Sequence, residues 1–125
     1  MTFTIADLPE SYLGLAGEGA VVIDVNAGGL GWFIDTTPDQ DEEFSRDESG
    51  LWRAAAASGA AGKVDLLTVL THELAHQLGF GDLNPLLAPN SLMTATLPSS
   101  VRRSTKDQID ELFADDELLG DLLLA

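Results

Sequence analysis

Apolar and polar positions alternate at the start of the chain. In TFTIADL (residues 2–8), Phe3 and Ile5 alternate with threonines, the pattern of a half-buried strand, and Pro9 closes it. AVVIDV (20–25) is a second, β-branched run; NAGG then supplies a turn, and GWFID (31–35) reads as a third strand closed by TTPD. Three short strands with tight connections predict a sheet. DQDEEFSRDESG (39–50) reads as a surface loop anchored by Phe44; its functional alternative is a calcium loop, although the spacing matches no EF-hand pattern. AAAASGAAGK (54–63) is either a short strand or a loop feeding the next element.

From Asp65 the period becomes helical. Asp65 is placed to cap an N-terminus, Leu67, Leu70, Leu74 and Leu78 form one apolar stripe, and Gly79 is a natural left-handed stop. In STKDQIDELF, Thr105 and Gln108 offer a capping box, with Ile109, Leu112 and Phe113 as the buried face of a second helix. DELLGDLLLA (116–125) either extends that helix or forms a separate helical tail. No internal repeat is visible. A short mixed sheet with two helices predicts an α+β fold, and the length suits one compact domain spanning residues 1–125.

Charge narrows the function classes. Against 6 basic residues stand 21 acidic ones, and a net charge of −15 repels phosphate backbones, which excludes nucleic acid as an expected partner. The carboxylates suit a solvated surface or a calcium-rich medium equally well. Mean hydropathy is near zero (+0.10), as expected of a globular chain with a core. No apolar run approaches bilayer length, so no membrane partner is expected; the N-terminus has no signal-peptide pattern, so an export signal would lie elsewhere in a longer polypeptide. With no cysteine, any metal site must use His, Asp, Glu or water.

THELAHQLGFGDL (71–83) contains both histidines. At about 100° per residue, His72 and His76 stack one turn apart on one face, almost opposite the leucine stripe. Two imidazoles so placed can meet one ion about 2 Å from each ring nitrogen, while Glu73 beside them can hold a water instead of the metal. The alternative is three solvated polar residues on an amphipathic helix. A catalytic zinc site needs a third protein ligand, and Asp82, arriving just after the Gly79 reversal, is the candidate; its other role is a turn aspartate.

HExxHxxGxxD resembles the extended zinc motif of the metzincin metallopeptidases, whose snapalysin-like members have Asp in the last position. NSLMTATLP places Met93 where the family's methionine turn would lie, although Met93 also reads as a core filler. DLLTVLTHELAHQLG and STKDQIDELF are similar to the active-site and C-terminal helices of matrixin-like members, and GWFID before an acidic loop resembles their upper subdomain. The resemblance implies a small metzincin-like zincin domain in which His72, His76 and Asp82 bind Zn2+. It gives Glu73 as general base, Gly79 as the helix-ending glycine and Met93 as the turn methionine. It further implies a secreted protein, calcium as an optional second ion, and a peptide or protein substrate handled by a monomeric unit of a larger polypeptide. Substrate would lie along the Gly31–Asp35 edge, near Trp32 and Phe33, with Ala95, Thr96 and Leu97 walling the pocket for the side chain after the scissile bond.

The sequence also departs from the family. The first long helix is missing or reduced, there is no cysteine for a thiolate switch, and no tyrosine follows Met93 closely. The expected function is a zinc-dependent endopeptidase; the alternative is a catalytically silent zinc-containing binding or adhesion module. An interaction domain without metal is the third reading.

Overall fold

Val21, Val22 and Ile23 make the middle strand of the first sheet. In the computed structural model, which describes residues 2–114, strand β1 (Thr2–Ala6) lies parallel to β3 (Ala20–Asp24), and β2 (Gly14–Gly17) lies antiparallel on its other side. A second sheet pairs β4 (Trp32–Phe33) in parallel with β7 (Val64–Asp65). The third is antiparallel, with β6 (Trp52–Ala54) between β5 (Phe44–Arg46) and β8 (Val101–Arg102). Helix α1 (Leu66–Gln77) packs on β2 and β3, and α2 (Lys106–Ala114) closes the described chain. The architecture is a small α+β protein with mixed sheets and two helices, and no described helix is long and apolar enough to cross a membrane. The expected tail, 116–125, lies outside the described residues.

Two apolar clusters hold α1 from either side. Val21, Ile23, Ala27, Val64 and Val69 form one, with Leu66, Leu70 and Trp32 packed against it. Ala75, Leu92 and Met93 form the other, with Phe80, Ile109 and Leu112 around them. The helix is thereby sandwiched, and its buried residues are Thr68, Val69, Glu73 and Ala75.

Several expectations are corrected. The leucine stripe is not the anchor of α1: Leu74 and Leu78 are 39% and 59% exposed, because the flanking contacts bury other arcs of the helix. Phe3 and Ile5 share a face with buried Val21 and Ile23 but are exposed, since β1 is an edge strand and α1 packs on β2 and β3. Residues 39–50 are not all loop, because Phe44–Arg46 pairs with Trp52–Ala54; Phe44 is buried as an anchor. Of GWFID only Trp32–Phe33 is strand, and residues 54–63 are mostly turns leading to β7. At α2, the Thr105 hydroxyl accepts the Gln108 N–H at 3.4 Å, as the cap requires; Phe113, however, is 44% exposed and meets Phe80 edge-on.

Asp65 occupies the N-cap position of α1 without capping it. Its carboxylate instead accepts two bonds from fully buried Arg102, from Nε at 2.8 Å and Nη2 at 2.9 Å, and a third from the Thr68 hydroxyl. Arg102 Nη1 donates to Asp41 at 3.0 Å, and the guanidinium lies 4.5 Å from the Phe44 ring centroid. Nη2 also sits 2.9 Å from Asp35 Oδ2, an ion pair without hydrogen-bond alignment. Burial alone would lower the pKa of Arg102, but these carboxylates outweigh it and hold the pKa above its ordinary value. The knot ties the second and third sheets to the start of the helix.

Candidate metal centre

Helix α1 ends in a Schellman turn. The Phe80 N–H donates to Ala75 O and the Gly79 N–H to His76 O, with Gly79 at φ +99°, a conformation glycine adopts without strain. Gly79 is therefore the helix stop its position suggests. The reversal places the Phe80 carbonyl 2.7 Å from His76 Nδ1 and returns Asp82 to the helix. The Asp82 loop is then pinned: Leu83 N–H donates to Met93 O at 2.8 Å, and Ala95 N–H to Leu83 O at 3.0 Å. Met93, 1% exposed, sits in the cluster beneath the histidines, and the neighbouring Leu92 carbonyl is 2.8 Å from His72 Nδ1.

These carbonyls determine the tautomers. A carbonyl can only accept, so both Nδ1 atoms carry a proton, and each ring in its neutral form presents a bare Nε2. The two Nε2 atoms lie 3.2 Å apart, and each is 3.0 Å from Asp82 Oδ1. Three lone pairs thus converge on one point and repel one another unless a cation lies between them. An ion about 2.0–2.1 Å from each donor at tetrahedral angles would hold the donors roughly 3.3 Å apart, close to the triangle observed. The donor set therefore fits zinc, with two imidazoles oriented from behind by carbonyls. The His72 and His76 side chains are 16% and 22% exposed and Asp82 is 57% exposed, so the triangle opens to solvent on one side.

Glu73 stands apart from that triangle. Its Oε1 is 3.8 Å from His76 Nε2, so it gathers with the two histidines within 4.8 Å but lies farther from His76 than Asp82 does, at 3.0 Å. Its side chain is 6% exposed, and Oε2 has no hydrogen-bond partner. Burial pushes its carboxyl above the ordinary value; positive charge on His72 or His76 pulls it down, and Asp82 pushes it up. β2 approaches so closely that a Cβ added at Gly14 would lie 3.1 Å from Glu73 Cγ and 3.3 Å from Oε2.

A cleft of about 740 Å³ runs past these groups. His72, Glu73, His76 and Asp82 line it, as do Ala95, Thr96 and Leu97; Trp32 and Phe33 do not. The Trp32 indole donates to the Asp24 carbonyl, and Phe33 packs edge-on against Phe44. The rim strand is β2, whose Gly14, Leu15 and Ala16 face the cleft. Gln77 fixes that rim to α1, its side-chain nitrogen donating to Gly17 O and its oxygen accepting from Gly19 N–H.

The sequence reading missed β2, Gln77 and the two orienting carbonyls. GLAG has no β-branched residue to announce a strand, and backbone acceptors leave no trace in residue identity. Gln77, one residue past His76, was the one legible signal. In the acidic loop, Glu42 and Glu43 gather with Asp35 so that one carboxylate oxygen from each lies within 4.8 Å of the others, which localises the calcium alternative; exposed carboxylates gather in this way without an ion as well. No protein-family model, curated protein or solved structure matches this chain, so the reading of the site rests on its own residues.

Proposed function

We propose that this chain is a zinc-dependent endopeptidase of metzincin-like build, with His72, His76 and Asp82 as ligands and Glu73 as general base. The observation that carries the reading is the convergence of three lone pairs, fixed by the Leu92 and Phe80 carbonyls, beside a buried carboxylate in an open cleft. Zinc, when bound, would supply Lewis acidity, lowering the pKa of a coordinated water towards neutrality and polarising a peptide carbonyl.

The chain's own residues do the rest. Glu73 accepts the proton of the attacking water and delivers it to the departing amine; burial raises its basicity for the first step and makes it a competent acid for the second. Asp82 neutralises part of the ion's charge. Peptide would lie extended against β2, the edge strand of its sheet that rims the cleft, taking main-chain hydrogen bonds there instead of at Gly31–Asp35. Secretion, and calcium at the acidic loop, belong to the same proposal.

The test pairs metal analysis with cleavage. One zinc per chain is expected, lost in His72→Ala or His76→Ala, and a denatured-protein or peptide-library substrate should be cut by wild type but not by zinc-loaded Glu73→Gln. Equal cleavage by both proteins sinks the mechanism. Zinc without any cleavage favours the silent binding module.

A further inference from the structure

Arg103 is 4% exposed and lines the same cleft as His72 and Glu73. Its neighbour shows how this fold treats a buried cation: Arg102 is met by Asp35, Asp41 and Asp65. Arg103 has no carboxylate partner among the described residues, in a chain with 21 acidic residues to draw on. Its partners are neutral: Nε donates to the Asn90 side-chain oxygen, Nη1 to Thr96 O and Nη2 to Pro89 O. Those bonds clamp the 89–96 segment, which a neutral donor could do at lower desolvation cost. Both terminal nitrogens keep an N–H in reserve. Val64, Val69 and Leu97 line the same cleft, and apolar walls strengthen the hold of a buried cation on an incoming anion.

We propose that this part of the cleft takes an acidic side chain, the Asp or Glu that follows the scissile bond, with Arg103 as the specificity-determining residue. The inference rests on the endopeptidase reading for the placement of the peptide. Substrate supplies the counter-charge that the fold withholds. A charge-assisted hydrogen bond exceeds the neutral one that Gln can make by about 1–1.5 kcal/mol, so Glu should exceed isosteric Gln at that position by roughly five- to tenfold in kcat/KM.

The experiment uses zinc-loaded protein and peptides differing only after the scissile bond: Glu, Gln, Leu and Lys. Expected is Glu over Gln, a gap that narrows as salt rises, persists in part in Arg103→Lys and collapses in Arg103→Gln. Because Arg103 variants could loosen the 89–96 segment, a second measurement uses wild type and Glu73→Gln only. It compares the affinities of two hydroxamates, one with a carboxyethyl arm and one with an isobutyl arm, and expects the carboxylate to bind tighter to both proteins. Zinc bound and peptides cut with no preference for Glu overturns this inference and leaves the peptidase reading standing. Zinc bound without cleavage overturns the peptidase reading, and the hydroxamate pair then decides the chemistry of the cleft alone. No zinc at all overturns both.

Discussion

Arg102 and the His72–His76–Asp82 triangle are opposite solutions to the same electrostatic problem. At Arg102 one cation is enclosed by Asp35, Asp41 and Asp65, side chains drawn from across the chain, and the three carboxylates share that cation. At the triangle three acceptors face one another within 3.2 Å, and both imidazole protons are committed to carbonyls behind. The first arrangement is complete within the protein and holds it together. On the proposed reading the second is completed by a positive ion, so the two places should respond differently to mutation.

The largest effect is expected at the knot. Arg102→Met leaves the buried Asp35 and Asp65 carboxylates without their cation and should cost about 3–5 kcal/mol of unfolding free energy, read by denaturant titration. A loss as small as that of a surface substitution would show that the knot is not the structural centre we describe. Chelation tests the other half of the comparison. Removing zinc should abolish turnover and lower stability by about 2.7 kcal/mol if free zinc had stood a hundredfold above its Kd. The Tm of His76→Ala should ignore the chelator. A wild-type Tm that also ignores it contradicts the metal reading.

Gly14→Ala separates the ion from the base. The new Cβ sits 3.1–3.3 Å from the Glu73 side chain, so the carboxylate must shift by a few tenths of an ångström. Zinc content should be retained while kcat falls about tenfold, since much larger costs follow from displacements near 1 Å. Unchanged kcat would mean that Glu73 needs no fixed position.

The smallest effect concerns acid. Asp24 accepts N–H bonds from Gly28 and Leu8, which hold its carboxyl below the ordinary value. A carboxylate with a lowered folded pKa contributes stability above its unfolded value of about 3.9, and that contribution is lost as pH falls through the folded value. Asp24→Asn should therefore flatten the decline in stability below about pH 4. An unchanged acid limb would remove Asp24 from the account.

The two regions also differed in how well they could be read from sequence. The triangle was legible because its donors are close in the chain: helical spacing stacks His72 over His76, and Gly79 signals the reversal that brings back Asp82. The knot was not. Arg102 meets Asp65 and Asp41 from 37 and 61 residues away, and a buried charge contradicts the pattern by which exposed and buried positions are told apart. Leu74 and Leu78 misled for a related reason. Periodicity identifies an apolar face but not what packs on it, and β2, β3 and the Met93 segment cover Val69, Glu73 and Ala75 instead.

The close approach of Gly14 to Glu73 also has a bearing on the order of assembly. The metal donors and their orienting carbonyls all fall within residues 72–92, so closing short loops is enough to gather them. The surroundings of Glu73 depend on β2, far earlier in the chain, and long-range strand pairing is slower to form. If the proposed site binds zinc, the ion can be captured during folding before the sheet is complete, giving a loaded but idle species. The fixed position of the proposed general base is then the last feature to form.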